Sequence, residues 1–430
     1  MTTPTTPGHP ASPGRATPEQ ATHDHAGPDQ ADPDQAGPEH VSPDRAIADQ
    51  LHSGDEHPDL LDLARHLHED ERRRLRAIED FAQQRIRPKC IEPWNREQLP
   101  RPLLAELGRL GLGEISVDGS SALFQGLAHA ALARADLSLS TLIGIHNELL
   151  VGLIDSLGSS QQRAAWLPGL RSLETLGAFC LTEPDHGSDI ARGLATTASL
   201  TDGQWHIRGR KRWIGMGAVA DLALIWARDT ADEQIKGFLV PTDVPGYRAE
   251  GIRQKTGLRI MQNAELDLDL RVPETALLAG ATSFSAVHGA LRDSRAWVGW
   301  QAVGAQQALF DIARSYAAGR DQFGRPIGSF QLVQSALAQV AGNMGVSTAF
   351  MGEVTRLQAE DRLTMLRATL AKSTLTRLAR ESAALAREIL GGNGILSSHE
   401  IAKVAADIEA VHAYEGSYGI NLLIAAVSYT

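Results

Sequence analysis

Cysteine is nearly missing from this 430-residue chain: there are two, Cys90 and Cys180. That excludes a disulfide framework and points to a reducing, cytoplasmic setting. No basic stripe interrupts the mixed charges, whose sum is −11, which argues against nucleic acid as a partner. No basic start followed by an apolar run marks a secretory signal. No apolar stretch reaches the roughly 18 residues expected of a membrane span, so no membrane is expected as a partner. The run Ile420 to Val427 is short and reads as a buried helix end. There is no G-x-G-x-x-G fingerprint, and no His/Cys/Asp/Glu pattern with metal-ligand spacing.

The first 57 residues have almost nothing apolar to bury. Over 11–50 they run in five-residue units (ASPGR, ATPEQ, ATHDH, AGPDQ and so on) with proline recurring in the third place. Such a segment cannot offset the entropy of ordering and is expected to be a disordered tail. His23, His25 and His40 fall in it without a fixed ligand geometry.

The rest, 43% hydrophobic overall, can bury a large core. Over 58–176 the pattern is helical: Leu75, Ile78, Ala82 and Ile86 share one face, and Pro88 and Pro93 are expected to close that helix. A second helix starts near Pro102 and ends at Gly111, and further Ala- and Leu-rich helices run from Leu123 to Leu157. Over 177–282 the texture changes to short runs between Gly, Pro, Asp and Asn: GAFCLT, WHIRG, LALIWA, KGFLVP and LDLDLRVP. This reads as a compact antiparallel β-domain. From 283 to 430 helical periodicity returns, with 291–318, 329–357 and 363–390 long enough for a bundle. The fold class is therefore α+β, mainly α, with a β-domain between two helical ones.

Five segments carry candidate chemistry. Leu181-Thr182-Glu183-Pro184-Asp185-His186-Gly187-Ser188 ends a strand in hydroxyls and free N–H groups, which can hold a phosphate or a polar ring edge. Lys211-Arg212-Trp213-Ile214-Gly215 offers an aromatic to a flat cofactor. Arg320-Asp321-Gln322-Phe323-Gly324, with Phe330-Gln331, places an arginine fork beside a turn, suited to a pyrophosphate. Gly391-Gly392-Asn393-Gly394 ends a long helix with more glycine than a cap requires. Tyr414-Glu415-Gly416-Ser417 sets a carboxylate between apolar segments, where partial desolvation would make it a better base. Taken singly, each also fits a plainer role: polar turn, core tryptophan, surface ion pair, helix cap, exposed charge.

Together, in this order, they resemble the acyl-CoA dehydrogenase family over about 58–428, closest to the branch of glutaryl-CoA dehydrogenase and short-chain acyl-CoA oxidase. The resemblance implies FAD held between the β-domain and the C-terminal helices. Phe179, Leu181, Thr182, Ser188 and Ser417 would line it. Trp213, Ile214 and Gly215 would flank its ring. Arg320, Gln322, Phe323, Phe330, Gln331, Gly391 and Gly392 would hold the dinucleotide, partly from a neighbouring subunit, so a homodimer or homotetramer is implied. Ser188, Arg295, Tyr414 and Gly416 would face an acyl thioester carried by CoA or a carrier protein. Glu415 would abstract the α-proton. Electrons would pass to an electron-transfer flavoprotein or to oxygen.

The sequence departs from that family in places. Gly215 stands where a Thr or Ser is usual, which is expected to leave space beside the flavin edge and to favour oxidase activity. Asp136 to Thr141 holds no arginine, where glutaryl-specific members carry one, so a short neutral or polar acyl chain is expected. A carrier-tethered substrate in biosynthesis and a non-catalytic flavin-fold binding protein are the competing readings.

Overall fold

In a computed structural model of the chain, residues 60–429 are described. The repeat read over 11–50 and its histidines lie outside the described residues.

The first helix, α1 (Glu69–Phe81), opens on Glu69, Asp70 and Glu71, acids that suit the positive end of the helix dipole, and buries Leu75 and Ile78. The prolines do not stop it as expected. The chain runs on through a wide turn (Ala82–Ile86) and a 3-10 turn holding Pro88 into α2 (Ile91–Arg96), with Pro93 in its first turn. A proline there lacks only an N–H that would find no helical partner anyway. α3 (Arg101–Arg109) buries Leu103, Leu104 and Leu107. α4 (Ala122–Ala135) is capped by Ser121, and α5 (Leu137–His146) by Asp136, whose carboxylate accepts the Leu139 N–H at 2.8 Å.

From α5 the helix continues through a π-type turn (Asn147–Val151) into α6 (Gly152–Leu157). This corrects the sequence expectation. The segment Leu137–Leu157 is long and apolar enough, by length and composition, to cross a membrane, because its Ser, Thr and Asn are offset by leucines. Here 83% of its apolar 18-residue stretch is buried inside the protein. α7 (Ser160–Arg171) closes this region with a capping box of Ser159 and Gln162.

The sheet comprises β1 (Gly177–Cys180), β2 (Thr197–Thr201), β3 (Gln204–Ile214), β4 (Leu222–Asp229), β5 (Ile235–Pro241), β6 (Tyr247–Gly251) and β7 (Ala264–Pro273), with a short helix, α8 (Ile190–Gly193), after β1. The order is β1-β4-β2-β3-β7-β6, with β5 also on β4. Most pairings are antiparallel, but β4 pairs in parallel with both β1 and β2. The purely antiparallel expectation is corrected, because β4 enters between two earlier strands after crossover connections, which parallel pairing requires. β4 is buried along nearly its whole length, as a strand covered on both faces should be. β7 alternates, with Leu266, Leu268, Leu270 and Val272 inward and Glu265, Asp267, Asp269 and Arg271 outward.

Beyond the sheet stand α9 (Ser285–Gly319), a hairpin of β8 (Asp321–Gln322) and β9 (Arg325–Pro326), α10 (Gln331–Ala359), α11 (Met365–Leu390), α12 (Ile401–Ala413) and α13 (Tyr418–Val427). α13 is not the buried end that was expected. It buries Asn421 and Ala425 but leaves Leu423 and Val427 exposed.

One buried ionic knot ties the three regions. Lys403 of α12 lies 2.7 Å from Asp136 and 2.8 Å from Asp407. Asp407 also accepts from Trp94 Nε1 at 2.9 Å and from the Leu258 N–H at 2.6 Å. Burial alone would strip the Lys403 proton, but the two carboxylates hold its pKa raised.

Candidate active site

Glu415 sits in the four-residue link between α12 and α13. Its φ is 51° and that of Gly416 is 79°, so two successive residues occupy the left-handed region. That conformation is natural for glycine but costs a glutamate about 1 kcal/mol or more, and the surroundings must hold it. They do. Asn421, buried in α13, donates from Nδ2 to the carbonyls of Glu415 (3.2 Å), Gly416 (2.6 Å) and Ser417 (3.2 Å). Arg295 donates from Nε to Asn421 Oδ1 at 3.0 Å and from Nη1 to Leu291 O. Lys372, fully buried in α11, donates to His412 O at 2.7 Å and Gly416 O at 2.8 Å.

The Glu415 carboxylate is half-buried and accepts a hydrogen bond from Ser294 Oγ at 2.7 Å. Arg295, which the resemblance puts near the substrate, is here a strut of the loop. Burial lowers its pKa, and Glu415 partly offsets that.

Beside Glu415, the Tyr414 hydroxyl donates to Gln301 Oε1, and Gln301 Nε2 donates to Ser140 Oγ and Thr141 Oγ1 at 3.2 Å each. The Tyr414 ring lies 6.1 Å from Trp297, which covers Gly144 of α5 so closely that a Cβ there would stand 2.7 Å from the indole. The next residue, Ile145, points the other way, at Gly215. α5 is therefore the wall shared by the Glu415 side and the sheet side.

On the sheet side, β3 carries a bulge between Lys211 and Ile214, which turns Trp213 outward with φ 61°. Trp213 is 53% exposed, and its neighbour's N–H (Arg212) donates to Thr182 O at 2.9 Å. A large exposed aromatic on a strained backbone fits the face of a flat ring, and Ser188 is exposed as well. Leu181 and Ile214 turn their side chains into the core, so only their main chains remain for a ligand; Phe179 is half-buried against Trp226. Beneath this wall Lys211, fully buried, lies 2.9 Å from Glu183, which also accepts the N–H groups of Ala195 and Thr196. Burial lowers the pKa of Lys211 to about 8.

Gly215 does not leave the open space expected of it. A Cβ there would meet Ile145 at 3.2 Å and Met261 at 3.4 Å, because those side chains already fill the position.

The remaining candidates are brought together elsewhere. Arg320, Gln322 and Phe323 lie on the exposed β8–β9 hairpin, with Phe330 6.0 Å from Phe323 and Gln331 exposed beside it. Gly391 and Gly392 are exposed with open space where a Cβ would stand, and Asn393 bonds Tyr316 of α9 at 2.9 Å. At a rise of about 1.5 Å per residue, the stretch of α9 from Ser294 to Gly319 is roughly 38 Å long. The two sets therefore lie roughly 38 Å apart along α9, the second at its C-terminal end. Ser417 caps α13, accepting the Ile420 N–H.

The residues that the sequence reading missed are Ser294, Lys372, Asn421 and Gln301. Lys372 had a signal: it lies on the apolar stripe of α11, with Ala368, Ala371, Leu375 and Ala379, where a cation needs a reason.

Comparison with known proteins matches this architecture piece by piece. The acyl-CoA dehydrogenase N-terminal domain matches 68–174, the middle domain 178–270 and the C-terminal domain 284–429. The mitochondrial isobutyryl-CoA dehydrogenase of Dictyostelium discoideum is 31% identical over 371 residues, covering 83% of this chain and 88% of that one. The crystal structure of glutaryl-CoA dehydrogenase from Mycobacterium smegmatis is 36% identical, with a TM-score of 0.83 over 87% of this chain and 98% of that one. A second glutaryl-CoA dehydrogenase from that organism, in complex with FADH2, is 32% identical, with a TM-score of 0.83 over 86% and 97%. The chain belongs to the acyl-CoA dehydrogenase family, flavin oxidoreductases that bind FAD.

Proposed function

We propose that this protein desaturates a short acyl-CoA between Cα and Cβ, with Glu415 as the base. The observation that carries the reading is the half-buried Glu415 carboxylate, held by Ser294 on a left-handed loop strapped by Asn421. FAD, when bound, supplies the acceptor for the hydride that leaves Cβ. Thr182, Trp213 and Ser188 would hold its ring end. Glu415 takes the Cα proton, a contribution of about 10²–10⁴ in rate. Ser294 aims the carboxylate. The main-chain N–H of Glu415 would meet the thioester oxygen as negative charge grows on it.

A short chain is supported by Trp297, Ile145 and Met261, which fill the space around the α5 wall. A neutral one is supported by the neutral polar set Ser140, Thr141 and Gln301, already bonded among themselves. An electron-transfer flavoprotein as acceptor is favoured over oxygen, because nothing is open beside Gly215. The exposed second set, from Arg320 to Gly392, is supported as a contribution to the site of another copy, which makes the working unit at least a homodimer. The buried thiols of Cys90 and Cys180 fit a reducing cytoplasmic setting.

The test is anaerobic bleaching of the bound flavin by butyryl-, isobutyryl- and glutaryl-CoA, with Glu415→Gln in parallel. The reading expects bleaching by a neutral short acyl-CoA and none in the variant. Near-full activity of Glu415→Gln overturns the base. Mixing Glu415→Gln with Arg320→Ala tests the shared site: activity regained in the mixture supports it, and simple averaging refutes it.

A further inference from the structure

Lys372 presents a physical problem. Its ammonium is fully buried in the middle of α11, and its two hydrogen-bond acceptors are neutral main-chain carbonyls, His412 O and Gly416 O. Two carbonyls can be served by a neutral amide, without desolvating a cation. Burial of an ammonium costs several kcal/mol unless a charge compensates it. The compensating anion is Glu415, whose charge acts on Lys372 across the loop. Arg295, from α9, opposes it, and His412, at the end of α12, also faces it.

The two carbonyls bracket Glu415. One lies three residues before it, in the last turn of α12, and the other directly after it. Ser294 of α9 bonds the Glu415 side chain, and Asn421 of α13, itself held by Arg295 of α9, bonds the loop carbonyls. Lys372 belongs to a 26-residue helix packed against α9, α10, α12 and α13. It ties the main chain of the strained loop directly to that bundle.

We propose that Lys372 is the positioning residue of Glu415: it clamps the 412–416 loop to α11 through His412 O and Gly416 O, and sets a positive charge that attracts the Glu415 carboxylate. This rests on Glu415 being the base. The clamp fixes where the loop stands, and the charge helps to hold the carboxylate. The near-neutral pKa of Lys372, lowered by burial to about 7, is the cost of placing a cation there.

Two substitutions separate clamp from charge. Lys372→Met keeps the stem and removes both donors and charge. Lys372→Gln keeps an N–H donor and loses the charge. With the FAD-bound enzyme and the acyl-CoA that bleaches wild type fastest, Lys372→Met is expected to lower kcat about 10–10²-fold, the scale of a misplacement near 1 Å, with KM and flavin content close to wild type. Lys372→Gln is expected to recover part of kcat, to a value between Lys372→Met and wild type, with KM again close to wild type. Wild-type kcat in flavin-loaded Lys372→Met overturns the proposal. If Lys372→Met fails to fold, Lys372→Gln decides: a wild-type kcat overturns it. Glu415→Gln, run alongside, keeps the two claims apart. An active Glu415→Gln sinks the base itself. An inactive Glu415→Gln beside unaffected Lys372 variants sinks only the positioning role.

Discussion

Ser294 Oγ and Glu415 Oε2 are joined by a 2.7 Å hydrogen bond that links α9 to the α12–α13 loop. The hydroxyl also donates to Leu291 O at 3.1 Å, so its one proton is shared, and a fully ionised carboxylate is the stronger acceptor.

Ser294→Ala removes the donor that holds the Glu415 carboxylate in place. A hydrogen bond to a charged group is worth about 1.5–3 kcal/mol. Losing it frees the carboxylate to turn away from the position that the 2.7 Å bond fixes. The rate of flavin bleaching should therefore fall about tenfold or more, with flavin content unchanged. Anaerobic stopped-flow bleaching checks this, and a wild-type rate shows that Ser294 does not aim the base.

His129 and His146 predict acid lability. Burial alone lowers the pKa of each to about 4, although His146 Nε2 has a partner in Leu170 O at 2.8 Å. His129 has none at either nitrogen, and stacks on Trp297 at 5.8 Å. Below about pH 6.5 the unfolded chain takes up protons that the folded chain refuses, so stability falls as pH drops toward 4. Each group contributes up to about 3 kcal/mol to that loss. His129→Leu removes the unpartnered nitrogens and should raise Tm more at pH 5 than at pH 7.5. An equal shift at both pH values would show that His129 is not a titrating liability.

Periodicity made most of the fold legible, and the exceptions are instructive. The long helices and the alternating strand 264–273 read directly, because one face of each is apolar. β2 and β6 did not, since each is short and largely exposed and has no apolar face to count. Trp213 and Glu415 were legible as types in a motif. What holds them was not: the bulge at Lys211, the clamp from Lys372 and the bond from Ser294 join residues tens to more than a hundred positions apart. Arg295 entered only through the family resemblance, as a residue near the substrate; its bond to Asn421, 126 positions away, could not be read from the sequence. Gly215 read as a gap because the sequence cannot show that Ile145 and Met261 come to fill it.

The knot of Lys403 should be destabilising to break and cheap to replace whole. Lys403→Met leaves Asp136 and Asp407 facing each other without their cation, while Asp407 still holds Trp94 and Leu258. Removing one partner of a buried pair costs about 3–5 kcal/mol. A triple change, Lys403→Met with Asp136→Asn and Asp407→Asn, removes the unpaired charges and keeps the amide acceptors. It should regain much of the lost Tm, measured by calorimetry with bound FAD. A triple variant no better than Lys403→Met would place the cost in packing rather than charge.

Gly215→Thr tests whether the flavin-side wall is closed. A Cβ meets Ile145 at 3.2 Å and Met261 at 3.4 Å, both movable side-chain tips, so the residue fits only if they retreat. Overpacking of this kind costs about 1–3 kcal/mol. The retreat would be into the space proposed for the acyl chain, so the rate should fall more for longer acyl-CoAs than for butyryl-CoA. Reoxidation of the reduced flavin in air should be as slow as in wild type, since a packed position gains little protection from one more methyl and hydroxyl. Stopped-flow reoxidation decides this: if the wild type reoxidises fast in air and Gly215→Thr slows it, oxygen does enter beside Gly215 and the enzyme is an oxidase.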